Sequence, residues 1–163
     1  MPREYPASKT GTLDIGSHVL GDNFEAQLDA FIAKTTEKAE KVIRLAILNM
    51  YGEIIETSPV DSGLFRANHQ LGLGSVPAGT LIADKPEGKY PRGLLYNYAA
   101  ENAQQRTKLD NYKLSTVAYI CNNLSYSIPL EYGHSTLAPT GVYRKAALRM
   151  NHFLSTAAAS VKG

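Results

Sequence analysis

From Asn23 to Thr57 apolar residues recur at steps of three and four: Phe24, Leu28, Phe31, Ile32, Val42, Ile43, Ala46, Met50, Ile54 and Ile55. That spacing lines them along one stripe of a helix more than thirty residues long. Asp22 or Asn23 is placed to cap its start, and Glu25 and Asp29 stand where the helix dipole favours acids. Lys34, Glu37, Lys38, Glu40 and Lys41 form the solvated face, with a break open near Thr35–Thr36 or at Gly52. Pro59 ends the helix, because the ring of a proline pushes the preceding residue out of helical geometry. Residues 1–21 show no period and carry Pro2, Pro6, Gly11, Gly16 and Gly21. They read as an extended arm, either disordered or ordered on a neighbouring subunit.

Beyond Pro59 the period drops to two. In LFRANHQLGL, Phe65, Ala67, His69, Leu71 and Leu73 share one face, and Arg66, Asn68 and Gln70 the other, which predicts a half-buried strand. His69 falls on the apolar side, as a core histidine does. KLSTVAYICNN, residues 113–123, is rich in β-branched residues and apolar on both faces, so it predicts a second, covered strand. Asn122-Asn123 turns it. Between the two strands the pattern is weak: a short strand at Thr80–Ala83 and a three-turn helix from Leu94 are the best readings. At the end Val142, Ala146, Met150, Phe153 and Ala157 share a helical face, with Thr140 as its cap. The expected fold is α+β, a long N-terminal helix and a C-terminal helix packed on a small, mainly antiparallel sheet. One domain over residues 22–163 follows the arm.

The densest cluster of special residues is SPVDSGLFR, Ser58 to Arg66. The residues divide the work of a turn among them. Pro59 stops the helix, Asp61 accepts from the backbone ahead in an Asx turn, and Gly63 takes positive φ. Arg66 is free to pair with Glu131, fixing the turn or joining subunits, and Tyr132-Gly133 lets the chain swing from strand to terminal helix. Asp61, Ser62 and His134 could be written as a nucleophilic triad, but no G-x-S-x-G elbow is present. GLGSVPAG lacks both a phosphate-loop lysine and the GxGxxG spacing. Glu53 and Glu56 are a pair such as solvated helix faces carry. No enzyme, cofactor or metal site is expected. The lone Cys121 excludes an internal disulfide and reads as a small hydrophobe.

Charge narrows the partners. Seventeen basic residues against fifteen acidic ones leave a net charge of +2, too little to imply nucleic acid on its own. Tyr90, Tyr96, Tyr98 and Tyr112 do cluster among Lys85, Lys89, Arg92, Arg106 and Lys108. Tyrosine with arginine is the composition of a protein interface, and less often of a nucleic-acid contact. Tyr143 and Arg144 join that candidate interface set. No stretch has the apolar length of a signal peptide's core or a membrane span, so a cytosolic origin without membrane partners is expected.

Two segments also resemble a phage tail-component family. Ser58–Arg66 is similar to its "P-V-D-T-G-x-L-R" turn, with Ser62 in the place of threonine. Tyr126–Ser135 (YSIPLEYGHS) with Ala138–Leu148 (APTGVYRKAAL) is similar to its "Y-A-x-x-v-E-x-G-T … P-x-x-F-l-r-x-A-l" ending, with Tyr143 in the place of phenylalanine. The order of elements agrees over roughly residues 24 to 160. The resemblance implies a structural virion protein of the neck, at the head–tail junction. It would be a homo-oligomeric ring around the channel through which DNA passes, assembled in the host cytoplasm. Its neighbours would be portal, head-closure or adaptor proteins on one side and tail terminator or tail tube proteins on the other. A tail terminator capping the tube and a small DNA-binding protein are the competing expectations.

Overall fold

The structure is a computed structural model that describes residues 17–82 and 99–162. Among these, helix α1 runs over Ser17–Thr57, α2 over Leu64–Ala67, and strand β1 over His69–Leu73. Helix α3 (Ala99–Thr107) continues into a 3-10 turn at Lys108–Asn111, and strand β2 spans Ala118–Asn122. Helices α4 (Ser127–Glu131), α5 (Tyr143–Leu148) and α6 (Met150–Val161) complete the order. The chain divides into two compact units, the first ending at Thr36 and the second starting at Glu37.

The architecture is the α+β arrangement expected. The sheet has two antiparallel strands, with His69 opposite Asn122 and Leu73 opposite Ala118. What the period of α1 did not reveal is that its second half is enclosed on several sides. Ile54 packs with Leu64, Phe65, Leu124, Val142 and Ala146. Ile47, Tyr51 and Ile55 pack with Leu71, Leu109 and Tyr112. Ala46 meets Phe153 and Ala157 of α6. A helix apolar on more than one face is a central helix, and LAILNMYGEII is such a segment.

Several elements differ from their expected form. Helix α1 begins at Ser17, so residues 17–21 belong to it rather than to an arm, and Glu25 and Asp29 lie inside it rather than in its first turn. The helix is unbroken at Gly52 and through Thr35–Thr36, although the division between units falls at that second place. The first half of LFRANHQLGL is helical, not extended. Leu64, Phe65 and Ala67 are all buried, and Ala67 N donates to Gly63 O at 3.1 Å, the bond of a helical turn. Asn68 Nδ2 donates to Leu64 O at 3.0 Å and closes that turn.

Strand β2 is half-buried in a two-stranded sheet, not a central strand, because no third strand covers it among the described residues. Thr80–Ile82 is not a strand but a loop with a bend at Leu81–Ile82, and Ala83 lies outside the described residues. The expected helix from Leu94 is described only from Ala99. The C-terminal helix is two helices hinged at Arg149, whose φ of −96° and ψ of 6° leave the helical region.

Candidate functional site

The turn after α1 is built around Arg66. Its Nε donates to Ser58 O at 3.0 Å and its Nη2 to Glu56 O at 2.9 Å. These are among the last carbonyls of α1, which no helical N–H can reach, so the guanidinium caps the helix end. Gly63 holds φ at 83°, the positive value expected, and launches α2 where a strand was expected. Asp61 is exposed and accepts no hydrogen bond from the described residues; Ser62 Oγ instead accepts from Leu64 N at 3.4 Å. The expected Asx turn is thus made by a serine. Arg66 does not pair with Glu131: its guanidinium is held by carbonyls at the end of α1, and the Glu131 carboxylate by the amides of Val142, Tyr143 and Arg144.

Behind the turn lies a buried polar hub. His69 is fully enclosed, its Nε2 2.7 Å from Ser58 Oγ and its Nδ1 2.6 Å from Tyr143 Oη. Ser58 has one hydroxyl proton and gives it to Ile54 O at 2.7 Å. The Nε2–H of His69 therefore donates to Ser58, and Nδ1 accepts the Tyr143 hydroxyl proton. Every group is satisfied only when the imidazole is neutral. Burial, seconded by the nearby Arg66 guanidinium, pushes the His69 pKa down to about 3. Burial raises the Tyr143 and Tyr51 phenols, so both remain protonated. Tyr51 Oη sits 2.9 Å from His69 O and 3.2 Å from Asn102 Oδ1. This is not the arrangement of a nucleophile and its base: Ser58 accepts a hydrogen bond from the imidazole instead of donating one to it, and it is closed to solvent.

Glu131 organises the second motif. Its carboxylate accepts from the amides of Val142 at 2.8 Å, Tyr143 at 2.9 Å and Arg144 at 2.8 Å, the first N–H groups of α5. Thr140 is therefore not the cap; a glutamate eleven residues before Val142 takes that role. The Arg144 guanidinium returns to Glu131 O at 2.7 Å and lies 5.2 Å from the centre of the Tyr132 ring. Gly141, with φ at 80°, leaves room for this approach: a Cβ there would lie 2.5 Å from Glu131 O. Gly133, with φ at 87°, turns the chain out of α4, so the swing joins helix to helix rather than strand to helix.

The proposed interface residues divide. Tyr112 is buried in the core, and Tyr143 is partly buried with its hydroxyl in the hub. Arg106 and Arg144 are exposed, and Tyr90, Tyr96 and Tyr98 lie outside the described residues. Of the basic residues nearby, Lys108 Nζ is held by Leu71 O at 3.0 Å and Gln105 Oε1 at 2.6 Å, and Lys113 pairs with Glu40 at 3.2 Å. Lys85, Lys89 and Arg92 are outside the described residues. Where His134 stands, its Nδ1 lies 3.0 Å from Pro129 O, a local contact of the α4 exit. Cys121 is half-buried, with its thiol pKa raised by burial. A pocket of about 410 Å³ opens between α1 and α6, where Glu53 pairs with Arg149 and Glu56, Arg106, His152 and Thr156 complete the wall. The Glu53–Arg149 pair holds α6 against α1. Among the described residues no group of three metal-ligating side chains gathers, and no helix is long and apolar enough to cross a membrane.

The polar clusters are thus occupied with the chain's own backbone. The apolar residues are not. Phe24, Leu28, Phe31 and Ile32 on the first unit are exposed, and so are Ile128, Tyr132, Leu137 and Leu148 on the second. The signal of the first four in the sequence was helical period alone, which does not say whether a stripe faces its own core or another chain. Compared with protein-family models, curated proteins and solved structures, the chain matches none of them.

Proposed function

We propose that this chain is a structural virion protein of the phage neck, one subunit of a homo-oligomeric ring that joins the DNA-filled head to the tail. The observation that carries the reading is the bare apolar stripe of α1 at Phe24, Leu28, Phe31 and Ile32. Large apolar side chains repeated along one exposed helix face are the mark of a surface made for contact. The two segments that resemble the tail-component family support it from another side. Ser58–Arg66 and Glu131–Arg144 act as clamps on helix ends, the work of a scaffold. The ring would meet portal-side and tail-side proteins on its two faces, and passing DNA would need no base readout.

Disrupting the gene in its source genome and examining the lysate by electron microscopy tests the proposal. Filled heads separate from finished tails are expected. Overlong, ragged tails would favour a tail terminator instead, and normal infectious particles would overturn the neck reading. Loss of duplex binding with rising salt, if the purified chain bound duplex at all, would move a DNA-binding role to the front.

A further inference from the structure

The two exposed apolar surfaces differ in place and in charge. On the first unit, Phe24, Leu28, Phe31 and Ile32 are 65, 45, 67 and 52% exposed, at steps that put them on one helix face. Together they leave roughly 400 Å² of apolar surface in water, about half of what one side of a standard protein interface buries. On the second unit, Ile128, Tyr132 and Leu148 are 68, 71 and 85% exposed. These three form one stripe. Ile128 and Tyr132 are a helical turn apart, Arg144 stacks on Tyr132, and Leu148 lies a turn beyond Arg144 on α5.

One flank of the first surface is acidic, its other flank carries the exposed Lys34, and the border of the second is basic. Glu25 and Asp29 are exposed beside Leu28 and Ile32. Arg144 and Lys145 are exposed beside Leu148, while the Glu131 carboxylate is already occupied by the α5 amides.

We propose that the Phe24–Ile32 face of one copy docks on the Ile128–Tyr132–Leu148 stripe of the next copy, head to tail. Pairing the first face with itself would leave the second stripe bare. Joining unlike faces covers both with a single type of contact and sets Glu25 and Asp29 near Arg144 and Lys145. Such border charges chiefly guide encounter and register, while the apolar side chains supply the affinity. A contact between unlike faces repeats from copy to copy and closes into a ring when the rotation allows. The choice of a second copy as partner rests on the ring reading above; the pairing of faces rests on the two surfaces.

The test uses two full-length variants, Phe24→Asp with Phe31→Asp, and Ile128→Asp with Leu148→Asp. All four positions are exposed, so circular dichroism and melting should match the wild type. In sedimentation velocity each variant alone is expected to be a monomer where the wild type associates. An equimolar mixture is expected to form a heterodimer and nothing larger, since one intact pair of faces remains between them. In a Cys121→Ser background, Leu28→Cys with Leu148→Cys should give a disulfide-linked ladder on oxidation. A homodimer persisting in the Ile128/Leu148 variant would overturn the proposal in favour of self-pairing of the first face. A wild type that stays monomeric at the highest reachable concentration and gives no ladder would overturn it outright. Rings seen in particles whose subunits fail to cross-link would sink this contact and spare the ring. Particles without a ring, beside a mixture that dimerises, would sink the ring and spare the contact.

Discussion

Acidification from pH 7 to pH 5 should weaken the fold through one residue, His69. In the folded chain its pKa is held to about 3, against 6.5 for the unfolded chain. Between those values the unfolded chain binds a proton that the folded chain refuses. Stability therefore rises with pH through this window, is fully present above about 6.5, and is fully lost below about 3. Over pH 7 to 5 the loss is about 2 kcal/mol, and over the whole window it approaches about 5 kcal/mol. That is a large part of the stability of an ordinary domain. The cause is geometric as well as dielectric. A proton on Nδ1 would face the Tyr143 hydroxyl at 2.6 Å, which would have to surrender its own hydrogen bond. Urea unfolding at both pH values, on the wild type and on His69→Gln, isolates the effect. Glutamine offers one donor to Ser58 and one acceptor to Tyr143 and does not titrate, and the carboxylates and other histidines are common to both proteins. The wild type should lose about 2 kcal/mol more than the variant. Equal losses, or an NMR titration placing His69 near 6.5, would refute the proton assignment in the hub.

Glu131→Ala should lower stability by about 2–4 kcal/mol in chemical denaturation, because three amides at the start of α5 lose a charged acceptor. Gly141→Ala should cost about 2 kcal/mol or more, since its φ of 80° and the 2.5 Å approach to Glu131 O both oppose a side chain. Gly74→Ala, with similar φ but open space around it, should cost about 1 kcal/mol, and thermal melts of the pair separate strain from collision. Leu71→Ala, at a fully buried position on β1, should cost about 2–5 kcal/mol by the same measurement.

Local chemistry was readable at several places where neighbours in the chain decide it, although the turn expected of Asp61 is made by Ser62. Pro59 ends α1 within two residues, Gly63 adopts the positive φ its place demands, and His69 is the core histidine its apolar neighbours indicated. Reading failed where two distant segments compete for one group. Arg66 was assigned to Glu131 by charge, yet the carbonyls of Glu56 and Ser58 hold it. Tyr143 looked like a surface tyrosine because nothing near it in sequence shows that His69 is its partner, seventy-four residues away. Thr140 had the right type and position for a cap, but Glu131 delivers a full charge to the same amides.

By itself, then, the sequence determined the class of fold, the long helix, the turn after it and the small antiparallel pair. These follow from period and from the few residues that restrict φ, both properties of short stretches. Only the tertiary structure decided that the second half of α1 is enclosed on several sides while Phe24 to Ile32 is bare, although one helical period runs through both. Period reports which residues share a face. It carries no information on whether that face is covered, because the cover comes from side chains far along the chain or on another copy of it.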